Sequence, residues 1–190
     1  DNFHIEGNIA FGPRQEGGRY TFLVGGGRGS RNLVVLDNVL YKVPMQIGYT
    51  AKDSRDCLVE GNTIIRQGLT IRGFQEVTKR NNFVWRGETK DPAPQSATVV
   101  LRPSKYDPNR ANMAIVNWPK SKQVDVDFSG FLHPGDGFRI QNVLDFFGPP
   151  VASGVYHGKP VAVPMSLEER TGQGEFCAFV IFAIDRAGSP

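Results

Sequence analysis

Four charged side chains crowd the stretch Tyr49-Thr-Ala-Lys-Asp-Ser-Arg-Asp56, which puts Lys52, Asp53, Arg55 and Asp56 on one segment. A Lys or Arg held close to a substrate can take a proton, and a pair of carboxyl groups can act as acid and base. Cleaving a glycosidic bond by hydrolysis needs two carboxylates about 5–10 Å apart. Asp53, Asp56, Glu60 and Glu76 are the candidates for such a pair. Lys52, Asp53, Arg55 and Asp56 are the expected catalytic set. Arg28, Arg72, Trp118 and Tyr156 are the expected binding set, with Trp85 and Tyr106 as further rings that stack on sugars if exposed. A charged loop of this kind also serves as plain solvated surface, so its function depends on what the fold brings beside it.

Other chemistries lack their residues. Gly25-Gly-Gly-Arg-Gly-Ser30 has neither the Gly-Lys-Ser/Thr ending of a phosphate loop nor a helical period after it, and reads as a mobile loop. His4, His133 and His157 are far apart, and His157 falls at an expected hairpin tip, Tyr156-His-Gly-Lys-Pro160. No Ser has Gly both two before and two after it, so a nucleophile elbow is excluded. Cys57 and Cys177 sit in apolar runs and read as buried free thiols. No metal motif or cofactor fingerprint is identified.

Composition narrows the class. The chain has 190 residues with 39% hydrophobic and 22% charged, and no apolar run approaches the ~18 residues of a membrane helix. Gly at 22, Pro at 13 and Phe at 13 point to short strands joined by turns. Net charge is +3, and the 22 basic residues form no run of five or more, so the clustered stripe of a nucleic-acid binder is missing. A mild cationic bias fits an acidic polymer such as a uronate-containing glycan. The chain opens at Asp1 within a strand-like pattern, which suggests a removed leader or the C-terminal part of a longer protein.

These residues ride on a repeat. Four segments align without gaps: Phe3–Phe11, Leu33–Tyr41, Cys57–Ile65 and Val77–Trp85. Each carries an Asn at the same place: Asn8, Asn38, Asn62 and Asn82, separated by 30, 24 and 20 positions. Gly, Asp or Asn precedes each one, and these types tolerate φ > 0 best. A strand should run to the bend, a second strand should follow, and the four Asn amides should stack as a ladder that satisfies the polar groups there. Thr21–Gly25, Met45–Gly48 and Leu69–Gly73 read as a further stacked sheet. Glu60 and Arg80 share a column and should pair across coils. Lys79 stands where Ile5, Val35 and Val59 stand, which suggests a loosening last coil. Insertions are expected at 12–19, 25–32 and 49–56.

On these residues the first half resembles the right-handed parallel β-helix superfamily, which includes pectate-lyase-like enzymes, other glycan-active proteins and phage tailspikes. That resemblance implies a solenoid fold. It admits a lyase in which Lys or Arg is the base and carboxylates hold Ca²⁺ against the substrate's acid group.

The second half changes character. Residues 89–96 are rich in Pro and polar residues and read as a linker between 1–88 and 97–190. Alternating runs follow at Thr98–Leu101, Met113–Trp118, Gln123–Phe128, Gly137–Val143, Pro160–Pro164 and Phe176–Ile184, with Ser153-Gly154 among the turn signals. They suggest an antiparallel sandwich. Leu132-x-Pro134-Gly135, Phe138, Asn142, Asp145–Pro150 and Ser153-Gly154-x-Tyr156 resemble the small β-sandwich at the C-terminus of many secreted carbohydrate-active enzymes. Such a module is accessory.

The expected fold is therefore all-β: a short right-handed parallel β-helix of about four coils plus a C-terminal antiparallel β-sandwich. The expected function is a secreted or cell-surface protein that engages polysaccharide, as a lyase or hydrolase with part of its site outside this chain. The alternative is a structural fibre, sheath or adhesin subunit. In either case further coils or another subunit would cover the open β-helix edge.

Overall fold

A computed structural model of the chain describes residues 2–12, 21–87, 92–165 and 174–184. Positions 13–19 of the insertion expected at 12–19 and part of the expected linker therefore lie outside the described residues. The chain divides into two compact units, Asp1–Ala93 and Pro94–Pro190.

The first unit is a parallel β-helix. Its first coil is β1 (His4–Glu6), β2 (Ile9–Phe11) and β3 (Phe22–Val24). The second is β4 (Arg31–Leu36), β5 (Val39–Tyr41) and β6 (Met45–Ile47). The third is β7 (Arg55–Glu60), β8 (Thr63–Ile65) and β9 (Leu69–Ile71), and the fourth is β10 (Val77–Arg80) and β11 (Phe83–Trp85). Strands this short cannot pair with their chain neighbours across a sharp bend, so each pairs with its counterpart one coil away. The result is three parallel sheets ordered β1-β4-β7-β10, β2-β5-β8-β11 and β3-β6-β9. Leu33, Val35, Leu40, Met45, Ile47, Cys57, Val59 and Ile64 fill the space between them.

The first bend is built as the repeat implies. The residue before each ladder Asn has positive φ: Gly7 +69°, Asp37 +52°, Gly61 +65° and Asn81 +56°. The four amides then stack. Asn8 Nδ2 donates to Asn38 Oδ1 at 2.9 Å, Asn38 to Asn62 at 2.8 Å and Asn62 to Asn82 at 2.9 Å. The backbone N–H groups of Asn8, Asn38 and Asn62 reach the same oxygens at 3.0 Å. The second bend uses other residue types, because Lys42 (+60°) and Arg66 (+66°) take the left-handed conformation there. Each lays its cation over the preceding or stacked ring, Lys42 on Tyr41 and Arg66 on Trp85. Lys79 does not loosen the last coil, since β10 keeps full register with β7, pairing Lys79 with Val59. What changes is burial: β10 is exposed along its length, so the ammonium stays solvated.

The second unit is antiparallel. It comprises β12 (Thr98–Pro103), β13 (Arg110–Val116), β14 (Gln123–Val126), β15 (Gly137–Asn142), β16 (Ala152–Val155), β17 (Val161–Pro164) and β18 (Phe176–Ile184), with one 3₁₀ turn at Val143–Asp145. A five-stranded sheet, β12-β13-β18-β15-β16, shares a core with the pair β14-β17. Met113, Ile115, Phe128, Phe138, Ile140, Phe179 and Ile181 make up much of that core.

Two expectations need correction here. Ser153-Gly154 is no turn but the middle of β16, paired with Arg139 and Phe138 of β15. The Phe138 ring lies close to the bare Gly154 Cα and does the packing a side chain would do. Residues 156–160 are no hairpin tip either, because β16 and β17 belong to different sheets and the segment carries the chain between them.

Candidate functional site

The charged segment is split by Ser54. This buried residue donates its N–H to Gly73 O at 3.0 Å and accepts from the Gln75 N–H at 2.9 Å. Its hydroxyl accepts from Ser30 N–H at 3.1 Å. Lys52 and Asp53 fall on one side of it and Arg55 and Asp56 on the other. The Asp53 carboxylate packs on the glycine-rich connection: a Cβ on Gly29 would stand 2.7 Å from Oδ1. A Cβ on Gly27 would likewise stand 3.3 Å from Thr50 Oγ1. The glycines at 25–29 thus let one inter-coil loop lie flat on the next.

Arg55 and Asp56 face a different neighbour. Cys57 pairs with Val77 in β10, which sets Glu76 beside Asp56. The register Arg31↔Arg55 and Leu33↔Cys57 sets Asn32 beside Asp56 on the other side. One exposed column therefore runs Asn2, Asn32, Asp56, Glu76, one residue per coil. Asn2 (+62°), Asn32 (+53°) and Asp56 (+55°) all have left-handed backbone, which turns the chain into the first sheet. Within the column Asn32 Nδ2 donates to Asn2 Oδ1 at 2.9 Å. Asp56 and Glu76 share a hydrogen bond, and this bond together with the charge on Asp56 holds the Glu76 carboxyl above its usual range. The nearby Arg55 charge works in the opposite direction. The structure thus sets two carboxyl groups side by side, with the Arg55 guanidinium near enough to oppose the rise at Glu76.

The remaining candidates separate. Glu60 and Arg80 form the expected cross-coil ion pair, Nε to Oε1 at 2.9 Å. Arg28 sits in the glycine-rich connection, exposed. Arg72 is exposed just past β9 and its N–H donates to Ile47 O at 2.8 Å. Trp118 and Tyr156 are not surface platforms. Trp118 is 8% exposed and its Nε1–H donates to Thr98 Oγ1 at 3.0 Å. Tyr156 is 1% exposed and its hydroxyl donates to Asp127 Oδ1 at 3.1 Å. Backbone and hydroxyl donors from Ser129, then Tyr156, hold the Asp127 carboxyl below its usual range. Both rings bury apolar area and satisfy their polar end internally. Trp85 is likewise buried, whereas Tyr106 is exposed.

Among the described residues no three His, Cys, Asp or Glu side chains come together as metal ligands. Nor is any helix among the described residues long and apolar enough to cross a membrane. Both cysteines are buried and neither is in a disulfide, and burial pushes the Cys57 thiol up to about 11.

The Asp56–Glu76 contact has a sequence signal. Both residues lie six positions before a ladder Asn, as do Asn2 and Asn32. The four types differ, so the column is visible only after the ladder has fixed the alignment. No protein-family model, curated protein or solved structure matches this chain.

Proposed function

We propose that this chain engages polysaccharide at the outer corner of its β-helix, as part of a secreted or surface glycan-active protein of the pectate-lyase-like kind. The observation that carries this reading is the hydrogen-bonded Asp56–Glu76 pair beside Arg55, exposed on a column that runs across the coils. A glycan chain needs an extended, open surface, and a β-helix corner supplies one. A glycosidic oxygen needs a proton in the transition state, and a carboxyl whose pKa a neighbouring carboxyl raises is the better donor. Arg55, next to that pair, offers a partner for a substrate carboxylate.

The arrangement favours hydrolysis over elimination. A lyase would want its base and its carboxylates around one substrate acid, but Ser54 parts Lys52 and Asp53 from Arg55 and Asp56. Two carboxyl groups in contact stand closer than the about 5–10 Å that a glycosidase pair spans, so Asp56 and Glu76 must part around the sugar for hydrolysis to proceed. A glycan array probed with the complete protein, wild type beside Asp56→Asn, tests the reading. Binding to acidic glycans that weakens in the variant supports it. An array silent for acidic glycans overturns it.

A second reading is a fibre, sheath or adhesin subunit. It is favoured by the terminal strands β1 and β10, each paired on one side only among the described residues, and by the exposed Phe3, Val77 and Phe83. Unpaired edges recruit another strand, and a contact that does not close on itself propagates. Sedimentation across concentrations separates the two readings: growing, heterogeneous species favour assembly.

A further inference from the structure

We propose that the sandwich unit carries its own site for an acidic polysaccharide, on the outer side of β15 and β18, with Phe147 as stacking ring and Arg139 as carboxylate partner. This rests on the polysaccharide reading above but uses different residues in a different unit.

Alternation along the strands defines the surface. Phe138 and Ile140 of β15, and Phe179 and Ile181 of β18, point into the core. Arg139 and Phe182 therefore point outward. Phe182 pairs across the sheet with both Arg139 and Arg110, giving a row Arg110–Phe182–Arg139 over three strands. The Arg139 guanidinium lies over the Phe182 ring, 4.6 Å from its centre. Phe146 meets Phe182 edge-on at 6.1 Å, and Phe147 meets Phe146 edge-on at 5.3 Å.

Phe147 is 98% exposed. Leaving such a ring in water forgoes the burial of its apolar area, yet the chain holds it there firmly. Gln141 Nε2 donates to Phe146 O at 2.8 Å and Gly148 O at 3.0 Å. Asn142 Oδ1 accepts from Leu144 N–H at 2.9 Å. The Asp145 carboxylate packs against Gly148, where a Cβ would collide with it. An exposed ring on a braced loop is preorganised to bind, with little ordering left to do.

The choice of occupant follows from charge and shape. The C–H face of a pyranose is apolar and covers an aromatic ring, whose face is electron-rich. A stacked guanidinium is fixed in plane and takes a carboxylate through two N–H groups. A uronate residue offers both features. A nucleic acid would also stack and pair with Arg. The sandwich unit balances nine Lys and Arg with nine Asp and Glu and so draws neither polyanion by net charge; the choice rests on the pyranose C–H face over the ring and on the planar carboxylate that one stacked guanidinium pairs with.

The test is affinity electrophoresis and calorimetry of the complete protein with polygalacturonate, with its fully methyl-esterified form, and with a single-stranded oligonucleotide. Phe147→Ala and Arg139→Ala are compared with wild type, and thermal unfolding checks that both exposed changes leave the fold intact. Each variant should bind polygalacturonate about tenfold more weakly or worse, and wild type should discriminate against the ester. Equal binding by wild type and both variants overturns this site while leaving the β-helix reading standing. Failure of wild type to bind any acidic glycan overturns both. Variant-sensitive binding of the oligonucleotide alone overturns the choice of glycan.

Discussion

Asn62 makes six hydrogen bonds from one fully buried side chain and its own N–H. It donates to Asn82 Oδ1 twice, to Val35 O and to Glu60 O, and it accepts from the N–H and Nδ2 of Asn38. Replacing it by Ala strands several buried partners at once, each costing about 1–3 kcal/mol. Asn62→Ala should therefore lower unfolding free energy by about 3 kcal/mol or more, read by urea denaturation. Asn8 sits at the exposed end of the same ladder, so Asn8→Ala should cost only about 1 kcal/mol. Equal losses at the two positions would mean that the ladder is not cooperative. Glu76 makes a different prediction. Its carboxyl is held above the ordinary value by the bond to Asp56 and by that residue's charge. A raised acid stabilises the folded state fully below the unfolded value, about 4.3, and that contribution is lost as pH rises through the folded value. Glu76→Gln keeps an N–H donor toward Asp56 and removes the titration. Wild type should therefore lose stability relative to Glu76→Gln on going from pH 4 toward neutrality, and parallel stability curves would contradict the raised Glu76 carboxyl.

The coils repeat because their corners do. At Gly61 the backbone is left-handed and an added Cβ would run into the Asp37 carboxylate of the coil above. Gly61→Ala should cost about 1–3 kcal/mol from backbone strain and that contact, visible as a lower thermal midpoint. This corner was legible in the sequence, since Gly, Asp and Asn before a repeated Asn specify both a bend and a stack. The corner at Lys42 and Arg66 was not. Nothing in a Lys or Arg announces positive φ, and the offsetting ring contacts depend on the fold. The third sheet was legible because each of its strands closes on a Gly with positive φ, directly after Val24 and Ile47 and one residue later after Ile71. In the sandwich the Phe176–Ile184 strand was readable from its long apolar run. Its neighbour β16 was not, because Gly154 looks like a turn until Phe138 is seen beside it. Trp118 and Tyr156 misled for a related reason. A ring with a polar end suits a binding face or a core that holds one hydrogen-bond partner, and here Thr98 and Asp127 supply that partner.

Over the whole molecule the charge is uneven. Asp1–Ala93 has thirteen Lys and Arg against ten Asp and Glu, so the entire +3 excess belongs to the β-helix unit. The candidate catalytic residues belong to that unit too, yet only Arg55 and Asp56 of the expected four meet Glu76. Sequence placed them on one loop, but the fold divided that loop at Ser54. Cys57, within the β-helix core, reports on the same packing. With its thiol pushed up to about 11, it should react with a thiol reagent at pH 8 only as fast as the unit opens. Prompt stoichiometric labelling would mean that the coils are looser than described. The most direct test of the polysaccharide account is reducing-end release from a panel of acidic polysaccharides, by wild type and by Glu76→Gln, with absorbance at 235 nm followed in parallel. The account predicts new reducing ends with wild type, a large loss in Glu76→Gln, and no unsaturated product at 235 nm. Equal release by the two proteins, unsaturated product, or no release from any member of the panel would contradict it.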